Sequence, residues 1–76
     1  MSFSADQLEE IEVLSLYSQP TSMTGIKIHH TATQERIDAA KRLHEKGIID
    51  QTDGGYLTDL GCEAVSQLQT LLRLLA

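Results

Sequence analysis

Five cations, Lys27, Arg36, Lys41, Arg42 and Lys46, fall between residues 27 and 46 together with all three histidines, and only Glu35, Asp38 and Glu45 oppose them there. Clustered Lys and Arg can neutralise phosphates, so the chemistry this segment could do is to hold a nucleic-acid backbone. The rest of the chain is acidic. Asp6, Glu9, Glu10 and Glu12 precede the segment and Asp50, Asp53, Asp59 and Glu63 follow it, for a formal net charge of −5 over 76 residues, which disfavours nonspecific attraction to phosphates. The other reactive side chains offer less. His29 and His30 are adjacent and would point to opposite faces of a strand, His44 is distant, and no carboxylate or second cysteine stands at ligand spacing, so no metal site is expected. Cys62 has no His or Lys as sequence neighbour, which suits a buried or half-buried structural thiol. No Gly-rich phosphate loop, Ser/His/Asp set or pair of catalytic carboxylates is present, and the expectation is a non-enzyme without cofactor.

The elements that would position these residues follow from periodicity and caps. Ser4 and Gln7 stand at capping-box spacing, and Leu8, Ile11 and Leu14 recur at helical spacing, which predicts a first helix over 5–16. The stretch YSQPTSMTG breaks it, and Ile26, Lys27 and Ile28 alternate as in a short strand within a 17–30 connection. Thr31 and Thr33 both offer N-caps for a second helix over 33–46, with Thr31 and Gln34 again at capping-box spacing and Ile37, Ala40, Leu43 and His44 as its inward face. Gly47 suits the left-handed residue that closes that helix.

A hairpin over 48–58 comes next, with Asp53, Gly54 and Gly55 able to take positive φ. A loop of Asp53 and Gly54 alone would set Leu57 against Asp50. A loop of Thr52, Asp53 and Gly54, with Gly54 left-handed, pairs Ile49 with Leu57 and turns both inward, and is the preferred register. Thr58 then caps a last helix over 59–75, with Asp59 in its first turn. The expected architecture is a single α+β domain over 1–76, small and winged-helix-like, with three main helices, a hairpin wing and one short extra strand.

The run LHEKGIID, a glycine-bearing turn and then GYLTDLG resembles the end of the recognition helix, the wing and the following helix of winged-helix transcription regulators of the MarR and PadR kind. Over most of its length the chain more closely resembles a family of short bacterial proteins of unknown function that share a KGxI…DGGYLTDLG core. The first resemblance implies a DNA-binding scaffold, and the second carries no activity with it. One departure stands out: the regulators place a supporting helix before the recognition helix, and only residues 17–32, broken by Pro20 and Gly25, are available for it here.

If the second helix reads double-stranded DNA, Thr33, Gln34 and Arg36 would approach base edges while Lys27, Lys41, Arg42 and Lys46 would hold phosphates. The alternative is a non-catalytic interaction or assembly module on the same scaffold. With Ile37, Ala40 and Leu43 inward, the exposed face carries Glu35, Asp38, Lys41, Arg42, Glu45 and Lys46, whose charges cancel, and Asp38 and Arg42 form an i,i+4 pair worth ~0.3–0.5 kcal/mol in solvent. The wing tip presents Thr52 and Asp53 where a minor-groove contact would want Arg or Lys.

The last helix adds a separate expectation. Leu60, Ala64, Leu68, Leu71 and Leu75 trace one stripe, which Val65, Leu72 and Leu74 widen. The first helix could pack along it within the monomer and cover about half of the apolar positions. The remainder predicts an exposed patch and a homodimer with Leu68, Leu72 and Leu75 among its contacts, the use that terminal helices commonly have in winged-helix regulators. No run approaches ~20 apolar residues and the start MSFSADQ has no basic n-region, so neither a membrane span nor a signal peptide is expected. A lone cysteine fits the cytoplasm.

Overall fold

The computed structural model describes residues 2–76. In chain order it contains α1 (Ala5–Leu14), β1 (Gly25–Lys27), α2 (Gln34–Glu45), β2 (Ile49–Gln51), β3 (Gly54–Leu57) and α3 (Asp59–Leu75). The three strands form one antiparallel sheet in the order β1-β3-β2, which makes this a small winged-helix-like α+β domain with three helices and a hairpin wing. Val13, Leu14 and Tyr17, Ile28, Ala39, Ala40 and Leu43, Ile49 and Leu57, and Val65 meet in a single buried cluster.

Each helix begins where the caps place it. The Ser4 hydroxyl accepts from Gln7 N while the Gln7 side chain accepts from Ser4 N, a complete capping box. At α2 the cap is Thr33, whose hydroxyl accepts from Arg36 N; the Thr31 and Gln34 spacing goes unused, and Gln34 donates instead to Asp38. Thr58 caps α3 by accepting from Gly61 N, and its own hydroxyl donates to Gly47 O at 2.6 Å.

Helix α2 is one residue shorter at each end than the expected 33–46, with Thr33 and Lys46 as its caps, and two larger differences occur elsewhere. Helix α1 stops at Leu14 and not at Leu16, because the next amides bond three residues back, Leu16 N to Val13 O and Tyr17 N to Leu14 O. That tighter turn brings Tyr17 into the core. In the hairpin, Ile49 pairs with Leu57 as expected, but Gln51 pairs with Gly54, so the loop is Thr52 and Asp53 alone. The extra residue is absorbed lower down, where Asp50 faces both Gly55 and Tyr56 across a β-bulge. Gly54 has a positive φ of 120°, while the value typical of left-handed backbone, 71°, belongs to Gly55 at the bulge. Asp50 Oδ1 accepts from Tyr56 N at 2.9 Å and fills the space beside Gly55, where a Cβ would lie 2.2 Å from it.

The layers also pack differently. The main partner of α1 is α2, not α3, and Ala39, absent from the expected inward face, is fully buried, whereas Ile37 and His44 are only half-buried. No helix stands between β1 and α2, where residues 28–33 form bends and a turn. The helix that packs on α2 is α1.

Candidate functional site

The basic segment folds so that most of its charge is met from within the molecule. Arg36 Nε lies 3.3 Å from Glu9 Oε1, Arg42 Nε 3.1 Å from Glu10 Oε2 and Arg42 Nη2 3.8 Å from Asp6 Oδ1, while Lys46 Nζ donates to Glu10 Oε1. Arg42 Nη2 also donates to the backbone oxygen of Asp6 at 3.3 Å. The acidic face of α1 therefore clasps the basic face of α2. Burial of Glu10 opposes its ionisation, but the hydrogen bonds and charges of Lys46 and Arg42 outweigh it and hold the carboxyl below its ordinary value.

This changes the reading of the α2 surface. Arg42 is turned toward α1, so it neither belongs to a neutral solvent face nor pairs with Asp38, whose carboxylate accepts from Gln34 Nε2 at 2.8 Å. Lys27, on β1, pairs with Asp53 at the hairpin tip at 3.0 Å, and that hydrogen bond and charge lower the Asp53 pKa. Of the residues expected to meet DNA, Thr33 is spent as a cap, Gln34 is exposed, and Lys41 alone of the cations has no carboxylate at ion-pair distance among the described residues.

The terminal helix presents a different surface. Helix α3 meets the core through Gly61 and Val65, with Cys62, Ala64 and Leu68 half-buried beside them, so the inward stripe runs 61, 65, 68 and leaves Leu60 exposed. Beyond Gln69, whose side chain reaches the Tyr17 and Ser18 carbonyls, the leucines of the helix stand exposed: Leu71 and Leu72 are each 49% exposed, Leu74 77% and Leu75 74%. Of the three expected interface residues, Leu72 and Leu75 are exposed and Leu68 sits at the edge of the core. Arg73 is the one charge over that stretch. Among the described residues no group of three His, Cys, Asp or Glu side chains is placed to hold a metal ion, and His29 and His30 are both exposed in the connection after β1. Among the described residues no helix is long and apolar enough to cross a membrane.

A family model of unknown function matches residues 1–76. The chain belongs to that family, DUF5669. No curated protein and no solved structure matches it.

Three structurally decisive residues lie outside the set singled out in the sequence. Glu10 shares a helical stripe with Val13, Leu14 and Tyr17, at spacings of three, four and seven, which was the available signal for its burial. Tyr17 joins three elements: its hydroxyl donates to Gly55 O at 3.0 Å, and its carbonyl accepts from Gln69 Nε2, which also reaches Ser18 O at 2.9 Å. Burial, helped by the Asp50 charge, pushes the Tyr17 phenol up to about 12. Gly61 lets α3 approach the hairpin base, since a Cβ there would fall 2.0 Å from Ile48 O.

Proposed function

We propose that this DUF5669 chain is a non-catalytic assembly module on a winged-helix-like scaffold, acting in the cytoplasm as a homodimer joined through its terminal helices. The observation that carries the reading is the uncovered end of α3, where Leu71, Leu72, Leu74 and Leu75 stand exposed with only Arg73 among them. Four exposed leucines within little more than one helical turn are a cost in water that association removes, and contiguous patches of this kind mark contact surfaces. Two antiparallel copies of α3 would bury Leu72 and Leu75 of each against the other, with half-buried Leu68 extending the seam toward the core. The half-buried, unpaired Cys62 suits a reducing compartment.

Sedimentation of the chain at tens of micromolar tests this. Twice the monomer mass is expected, with a return to monomer for Leu72→Glu, whose exposed site leaves the fold intact. A monomer at millimolar concentration overturns the proposal.

Nucleic-acid binding by a transcription regulator is the second reading, favoured by the succession of α2, β2 and β3 as helix and wing. It has less to work with. Arg36, Arg42 and Lys46 are engaged by α1, and the exposed Gln34, Glu35, Lys41 and Glu45 leave α2 with more acid than base toward solvent.

A further inference from the structure

On the side of α2 away from α1, a pit of 290 Å³ opens between the helix, β1 and the hairpin tip. Ile28, Ile37 and Ala40 form an apolar floor, and Lys27, His30 and Lys41 stand around the mouth. The volume is at the lower end for small-molecule sites, ~300–1,000 Å³, and fits a compact ligand only.

The charges around the mouth are specific. Asp53 also lines the pit, but its carboxylate is engaged by Lys27 at 3.0 Å, so the pair contributes little net charge. Lys41 is the exception among the cations of α2: Arg36, Arg42 and Lys46 all reach carboxylates of α1, whereas Lys41 lies over the pit with no carboxylate at ion-pair distance among the described residues. In a chain of net charge −5, this leaves positive charge at the mouth of an apolar cavity.

We propose that this pit binds a short aliphatic monocarboxylate, its carboxylate on Lys41 and its chain on Ile28, Ile37 and Ala40. One negative charge fits the site better than two. A doubly charged phosphate would bring a second negative charge that Lys41, the one lysine of the pit without a carboxylate partner among the described residues, does not match, while a neutral alcohol would leave Lys41 without its partner.

The test is a titration of the isotope-labelled chain with hexanoate, followed by amide shifts, with hexan-1-ol as the neutral control. Saturable shifts at Ile28, Ile37, Ala40 and Lys41 are expected, stronger for hexanoate than for the alcohol. Lys41→Gln should weaken hexanoate binding by about threefold, the worth of one exposed ion pair, and leave the alcohol unaffected. Because Lys41 is exposed and carries no ion pair, the variant keeps the fold. Absent shifts at tens of millimolar hexanoate, equal response to the alcohol, or shifts confined to the α3 leucines each overturn the proposal, and none of them bears on the dimer, which sedimentation reads separately.

Discussion

Tyr17 shows how one side chain closes this domain. It leaves α1 through a tight turn, is 2% exposed, and its hydroxyl donates to the Gly55 carbonyl at the β-bulge. Tyr17→Phe keeps the ring and removes the hydroxyl, so equilibrium urea unfolding should report a loss of about 1 kcal/mol, the net worth of such a bond. The same phenol makes stability fall in alkali. Its folded value is raised to about 12 above the ordinary 10, so its contribution is whole below 10 and is lost as pH rises toward 12. The Phe variant should lack that part of the decline. Gly61 acts by being small: Ile48 O, which already accepts from Thr58 N at 3.1 Å, occupies the position a Cβ would need. Gly61→Ala meets backbone that cannot rotate away, and thermal unfolding should show a cost at or above the top of the ~1–3 kcal/mol range for overpacking.

Between elements, the clasp of α1 on α2 is electrostatic as well as apolar. Glu10 has a side chain only 8% exposed and receives both Arg42 and Lys46, whose partial exposure limits what each pair contributes. Its folded pKa lies below the ordinary 4.5, so the stabilisation is complete above 4.5 and is lost as pH falls through the lower, folded value. Unfolding followed from pH 7 to pH 3 should give a plateau and then a fall beginning near 4.5. Glu10→Gln should lower the plateau by about 1.5–3 kcal/mol, the range for hydrogen bonds to a charged group, and flatten the fall. An unchanged acid limb in that variant would mean that other carboxylates govern the transition.

For the whole molecule the question is whether charge or apolar surface meets the outside. With α1 carboxylates on Arg36, Arg42 and the α2 C-cap Lys46, mixed-sequence duplex DNA at low salt is expected to move few amides, and those it moves should lie at Lys41 and Gln34. Tight binding that falls steeply with salt and is weakened for all sequences alike by Arg42→Ala would instead show that the clasp opens on DNA, and would favour the regulator. The α3 end has no such internal competitor. Its leucines lie past Val65, the last buried residue of α3, and are exposed in the single chain.

Local chemistry accounts for what could be read along the chain. Ser4, Thr33 and Thr58 act within a few residues, Gly47 ends a helix by itself with φ of 77°, and α3 occupies the expected 59–75 because its start and periodicity are both local. The Ile49 and Leu57 pairing was legible too, since period-two alternation ties register to burial. Three-dimensional packing decided the rest. Whether α1 would lie on α2 or along α3 depended on which stripe it buried, and the buried one is Glu10 with Val13, Leu14 and Tyr17, a face that also brings two cations to one carboxylate. The bulge at Gly55 is met by the hydroxyl of Tyr17, 38 residues away. The basic segment looked available to phosphate because a linear reading sums charges along the chain, whereas ion pairs form across it. Glu9, Glu10 and Asp6 stand 27 to 36 residues from their partners, separations at which only the fold determines which charges meet.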